Sequence, residues 1–167
     1  SFDKVKKEAG TLRIMTWNAK GLLPTVGELT KTVRIDHREK IFSVIRDYDP
    51  DIIAFQEFST IGTTQWFNNI ADLGNMGYMY YFFPGDFVRS KTHYSGTAVF
   101  SKYPIVDSSR TPMPQGPEDQ VESLLSADIV FHSDTIRVFT GHLQSYRFMQ
   151  SDYSNFSKIR NNPNETI

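Results

Sequence analysis

The sequence predicts an α/β sandwich built around a mixed sheet, and three observations lead there. Segments of strand and helix period alternate as β-α-β-α before giving way to a run of strands. One of the early strands, Ile52-Ile53-Ala54-Phe55, is apolar at every position, as a strand covered on both faces must be. With 39% hydrophobic and 22% charged residues, the 167-residue chain has the composition of an ordinary globular protein and the length of one domain, 1–167.

The elements follow in order. Residues 1–11 are mostly polar and expected to be flexible. Leu12–Trp17 alternates, with Leu12, Ile14 and Thr16 on one face and Arg13, Met15 and Trp17 on the other, which predicts the first strand. Asn18–Val33 contains Gly21, Pro24 and Gly27 and reads as a loop. Asp36 followed by Glu39 predicts a capped helix start, with Ile41, Val44, Ile45 and Tyr48 as its apolar stripe and Pro50 as its stop. The buried strand Asp51–Glu57 comes next. A second helix is predicted over Thr64–Leu73, with Trp66, Phe67, Ile70 and Leu73 on one side. Strands are then predicted at Tyr78–Phe83, Gly96–Ser101, Ser123–Phe131 and Thr135–His142, the last two joined by a tight turn at His132-Ser133-Asp134. Met149–Arg160 is a candidate for a further helix.

The sequence also excludes several classes. No Cys is present, so disulfides, thiolate metal sites and a Cys nucleophile are ruled out. No apolar run approaches the roughly 20 residues that span a bilayer, and the start has no secretory hydrophobic region. It also lacks an initiator Met, so localisation stays open. No glycine-rich nucleotide loop follows a strand. The net charge is −1, with ten Lys/Arg against six Asp/Glu in residues 1–47, a bias that a solvated helix face explains as readily as an anionic partner does.

Three polar residues close predicted strands, where α/β proteins build their sites. Asn18 follows Ile14-Met15-Thr16-Trp17, Glu57 follows Ile52-Ile53-Ala54-Phe55-Gln56, and His142 follows Ile136-Arg137-Val138-Phe139-Thr140-Gly141. Taken singly, Asn18 starts a turn, Glu57 is a solvated carboxylate and His142 packs beside Leu143. Taken together, they combine hard oxygen donors with an imidazole. Carboxylate and carboxamide oxygens suit Mg²⁺ or Mn²⁺, and an imidazole suits a phosphoryl oxygen or a proton transfer near neutral pH. No two His lie at zinc-ligand spacing. His37 and Arg38 read as a solvated first helical turn, and His93 and His132 as surface loop residues. Tyr78, Tyr80 and Tyr81 read as strand core, with a base-stacking platform as the alternative.

Four segments, in order, resemble the endonuclease/exonuclease/phosphatase superfamily. Leu12-Arg13-Ile14-Met15-Thr16-Trp17-Asn18 is similar to its first strand and Asp51-Ile52-Ile53-Ala54-Phe55-Gln56-Glu57 to its metal-carboxylate strand. Ser95–Ile105 is similar to its Gly-x-Ala strand ending in Ser-Lys-x-Pro-Ile, and Val138–Leu143 to its His-Leu strand. The resemblance implies a four-layer α/β/β/α sandwich with mixed, mainly antiparallel sheets. It implies Glu57 as the principal ligand of Mg²⁺ or Mn²⁺ and Asn18 as a second ligand or positioning group. His142 becomes a contact to the scissile phosphate or an aid to the leaving group, and Gln56 a neighbour able to support Glu57. Ser95–Ile105 is architecture, its glycine allowing a close backbone approach.

The resemblance also implies residues that do not occur. Family members continue with Gly-Asp-x-Asn and end with Asp-His, whereas no Gly-Asp-x-Asn is present and no His follows His142. The expectation is therefore an incomplete domain, with an exposed apolar sheet covered by a missing C-terminal segment or an oligomer partner. The implied activity is metal-dependent hydrolysis of a phosphate ester by the parent protein, the chain alone being nearly inactive. The alternative is a non-catalytic domain of the same fold that binds a phosphorylated ligand. Nucleic acid, inositol phosphate and phospholipid head group all remain open as substrates.

Overall fold

The computed structural model describes residues 6–22, 31–62, 67–113 and 123–143. It contains two sheets. The first joins β1 (Ile14–Asn18), β2 (Ile52–Ile61), β5 (His93–Ser101) and β3 (Tyr80–Phe82) in that order, with β4 (Phe87–Ser90) also paired to β5. β1 and β2 are parallel, and the remaining pairs are antiparallel. The second sheet is the antiparallel meander β6 (Ile105–Pro112), β7 (Ser123–Phe131) and β8 (Asp134–Gly141).

Helices α1 (Lys31–Tyr48) and α2 (Asn69–Asn75) cover the outer face of the first sheet. Ile41, Phe42 and Ile45 of α1 and Leu73 of α2 are buried against Ile53, Phe55 and Phe58 of β2 and Ala98 and Phe100 of β5. On the other face, Ile52 and Val99 meet Ala127, Ile129 and Val138 of the second sheet. β2 and β5 are thus covered on both faces, which is why Ile52–Phe55 is apolar throughout. Each fully buried side chain of this size contributes about 1.5–3 kcal/mol.

The predicted α/β class holds, with several corrections. The chain supplies strands to both sheets, and their inner faces cover one another, so no single bare sheet results. The exposed apolar residues of the second sheet, Val106, Leu124 and Phe139, are instead on or beside its outer face. α1 starts at Lys31, five residues before the predicted cap, so Asp36 is interior to the helix. Phe42 is buried where Val44 was expected, and Val44 is exposed. α2 starts after Asn68, whose side chain accepts the Ala71 N–H at 3.2 Å; Phe67 lies outside it and Gly74 inside. Two short or polar strands, β4 and β6, carry no strand pattern in sequence. The predicted Met149–Arg160 helix lies outside the described residues.

Arg38 is not solvated. It is buried on α1, lies 4.4 Å over the Phe42 ring, donates to Asn69 Oδ1 at 2.6 Å and pairs with Asp72. Asn69 in turn donates to the Ser59 carbonyl at 2.6 Å, so one polar chain ties both helices to β2. His93 is also not a loop residue. It is half-buried in β5, with Nε2 2.8 Å from Ser59 Oγ. His132 is exposed in the β7–β8 turn as expected, at φ 55°. Of the tyrosines, Tyr78 is core, whereas Tyr80 and Tyr81 are exposed.

Tyr78 also fixes the end of α1. Its hydroxyl donates to the Pro50 carbonyl at 2.8 Å. Burial, with smaller contributions from Asp49 and Asp51, raises its pKa above the ordinary phenol value. The folded state thus holds a proton that the unfolded chain releases above about pH 10. Stability from this group is complete below that pH and is lost as pH rises further. Urea unfolding at pH 8 and pH 11 should show this decline. Tyr78→Phe should remove this group's share of it and cost about 1 kcal/mol at pH 8, because the Pro50 carbonyl loses its donor.

Candidate active site

The site begins with a defect in β2. Ile53 and Phe55 point toward the helices, so regular alternation would aim residue 57 into the same apolar layer. A bulge between Phe55 and Phe58 inserts one residue instead. Phe58 takes the helix-facing place, its ring 5.5 Å from that of Phe55, and Glu57 adopts φ 50°. A left-handed backbone at a non-glycine residue costs about 1–2 kcal/mol. Its result is a carboxylate turned out of the core, with 42% of the side chain exposed.

Asn18 ends β1 opposite Gln56. Its Oδ1 accepts the Lys20 N–H at 3.0 Å, opening a turn through Lys20, Gly21 and Leu22, all at positive φ. Leu22 is fully buried and anchors that turn. Asn18 therefore starts a turn through Oδ1, while its Nδ2 donates to Glu57 Oε1 at 2.8 Å.

His142 comes from the second sheet, one residue past β8, and is 19% exposed. Its Nε2 lies 3.2 Å from Glu57 Oε1 and 3.2 Å from Asn18 Nδ2. Nε2 cannot donate to the carboxylate and accept from the amide at once, so the tautomer selects one of these contacts. Directly beneath, Gln56 Nε2 donates to Thr140 Oγ1 at 2.9 Å and Thr16 Oγ1 at 3.1 Å. This amide bridges the two sheets and makes no hydrogen bond to the Glu57 carboxylate.

All three residues singled out as a site, Asn18, Glu57 and His142, thus meet at one end of the sandwich. Asp36, His37 and Arg38 belong to α1 and take no part in these contacts. Gly96 behaves as expected: at φ 152°, a Cβ there would stand 3.0 Å from Asp86 N and Oδ2. Sequence reading missed what surrounds that glycine. Asp86 Oδ1 accepts from Arg110 Nε at 2.7 Å and from Ser123 Oγ at 2.9 Å, joining the sheets again. The only hint was Gly96 itself, since an acid, a base and a serine spread over residues 86–123 form no motif.

Among the described residues, no group of three or more His, Cys, Asp or Glu is placed to enclose a metal ion. The oxygen donors at the site are one carboxylate and one carboxamide. Glu57 pairs with no Lys or Arg among the described residues.

Comparison with known proteins gives the fold a name. The Endonuclease/Exonuclease/phosphatase family matches residues 15–149. No curated protein matches the chain by sequence. Among solved structures, humanized D. rerio TDP2 superposes with a TM-score of 0.58 at 21% identity, covering 91% of this chain and 57% of that one. D. rerio TDP2 complexed with single strand DNA product gives 0.56 at 21% identity, with 91% and 56% covered. An endonuclease/exonuclease/phosphatase family protein from Leptotrichia buccalis gives 0.55 at 15% identity, with 93% and 64% covered. The chain therefore spans a little over half the length of those TDP2 structures. The match over most of its residues, on a two-sheet fold of the same kind, places the chain in the endonuclease/exonuclease/phosphatase family.

Proposed function

We propose that the parent protein hydrolyses a phosphate ester with the help of a divalent cation, and that this chain holds the cation- and phosphate-binding part of its active site. The observation that carries the proposal is the Glu57 bulge. A strained backbone turns a carboxylate away from an apolar layer and onto Asn18 and His142.

The donor set fits Mg²⁺ or Mn²⁺. These ions take oxygen ligands and keep several waters, so one carboxylate and one carboxamide oxygen are a sufficient protein share. Glu57 would be the anionic ligand, and Asn18 would present Oδ1 by turning its amide. When bound, the cation supplies charge neutralisation to the phosphoryl oxygens and polarises the P–O bond. His142 donates from Nε2 to a phosphoryl oxygen, or passes that proton to the leaving oxygen. Activation of the attacking water is assigned to the parent protein beyond these residues, in line with the absence of a Gly-Asp-x-Asn segment.

Phosphodiesters are the substrates to test first. D. rerio TDP2, which shares the fold, has been solved with single strand DNA product. The net charge of −1 weighs against tight, non-specific binding to a polyanion.

In full-length protein with Mg²⁺, hydrolysis of bis(p-nitrophenyl) phosphate should fall by about 100-fold or more in Glu57→Gln and in His142→Ala. The 167-residue chain alone should stay near background. Full activity in Glu57→Gln, or indifference to EDTA, would overturn the assignment. Phosphate binding without turnover would point to a binding domain instead.

Strain and function should separate at the same residue. Glu57→Gly relieves the left-handed backbone but loosens the unfolded chain, so its stability should stay within about 0.5 kcal/mol of the parent. Glu57→Val should cost about 2 kcal/mol, since a branched side chain resists φ near 50°. Both should lose Mg²⁺ binding by calorimetry. Retention of that binding in Glu57→Gly would remove the carboxylate from the cation site.

A further inference from the structure

Beside the proposed cation and phosphate site stands a second built group, formed by Asp86, Arg110 and Ser123. Asp86 precedes β4, and its side chain is only 1% exposed. Arg110 Nε donates both to its Oδ1 at 2.7 Å and to Ser123 Oγ at 2.9 Å, while the Ser123 hydroxyl donates to the same Oδ1. Burying a carboxylate is costly unless it is paired with a cation, and among the described residues Asp86 Oδ2 has no hydrogen-bond partner, which leaves Arg110 as the cation that offsets its charge. The group therefore holds one guanidinium in place. The Arg110 side chain is 35% exposed, and no described residue accepts a hydrogen bond from either terminal nitrogen. Its open edge is the two-pronged donor that matches a phosphate.

Strand register places this fork next to the site by two routes. Arg110 pairs with Leu125 and Leu125 with Thr140, so all three point to the inner face of the second sheet. His142, two residues after Thr140, continues that face. Two strand spacings, about 10 Å, separate the β6 and β8 backbones, a gap that an arginine side chain partly closes. From the other sheet, Gly96 pairs with Phe58, the residue after Glu57, and is the glycine whose missing Cβ lets Asp86 approach.

We propose that Arg110, clamped by Asp86 and Ser123, binds a second phosphate of the substrate adjacent to the one held at Asn18, Glu57 and His142. This rests on the reading of those three residues as the scissile-phosphate site. It selects substrates that carry two neighbouring phosphates, whether along a nucleic-acid strand or around an inositol ring, over simple monoesters.

Calorimetric titration of the 167-residue chain in Mg²⁺ tests it with three probes: thymidine 5′-monophosphate, thymidine 3′,5′-bisphosphate and inositol 1,4-bisphosphate. One bisphosphate should bind on the order of tenfold more tightly than the monophosphate, and which one does so identifies the source of the second phosphate. Arg110→Met should abolish that preference and leave monophosphate affinity within about twofold of the parent. Arg110→Lys, which keeps the charge but not the fork, should retain part of the preference and carries the test should Arg110→Met unfold. A preference that survives Arg110→Met, an equal loss for all probes, or no preference in the parent chain overturns the proposal. The underlying reading fails separately: in that case Glu57→Gln and His142→Ala leave monophosphate binding unchanged. No binding of any probe overturns both.

Discussion

The backbone at Glu57 is the constraint on which the rest of the site depends. β2 is covered on both faces, so a charged side chain along it has to leave the apolar layer. A carboxylate buried among Phe55, Phe58 and Phe100 would pay several kcal/mol in lost hydration. A bulge resolves this conflict locally, at the smaller cost of one left-handed residue. Just before the bulge β2 is still held to the end of β1, where Ala19 donates to the Gln56 carbonyl at 2.8 Å. The core explains why Glu57 cannot point inward, and the turn at Asn18 explains what it meets on the way out.

Bringing His142 to the same place is a different problem, because it belongs to the other sheet. Apolar packing between Ile52, Val99, Ala127, Ile129 and Val138 holds the sheets together but has little directional preference. Polar bridges supply the direction. Gln56 reaches Thr140 from one sheet to the other, and Asp86 reaches Arg110 and Ser123. Both bridges sit at the end of the sandwich that carries Glu57. Hydrogen bonds of this kind have narrow distance and angle requirements, so they fix relative position where dispersion contacts would allow sliding.

This division of labour explains what the sequence disclosed. Asn18, Glu57 and His142 were legible because each follows an apolar run with a polar residue, a local pattern, although Glu57 lies inside β2 and not at its end. Strand β7 was legible to the residue for the same reason. The bulge was not, since Gln56-Glu57-Phe58 looks like a strand that has simply ended, and β2 in fact continues to Ile61. Arg38 was misread because its partners Asn69 and Asp72 lie some thirty residues away, and nothing local distinguishes a buried arginine from a solvated one. The same holds for Asp86, Arg110 and Ser123, whose contact exists only once two sheets have packed.

Parity finally decides whether His142 can serve the site at all. Along β8, Ile136, Val138 and Thr140 turn inward while Phe139 turns out, so His142 inherits the inward side. A slip of one residue against β7 would exchange the two faces, sending the imidazole to the outside and Phe139 into the core. The last ladder pair is Leu124 with Gly141, which leaves His142 one residue beyond the hydrogen-bonded strand. The Gln56–Thr140 bond, two residues earlier, is a cross-sheet contact that helps keep that strand end in register with Glu57. The imidazole's 3.2 Å approach to the carboxylate is thus supported from below by an amide that makes no hydrogen bond to either group.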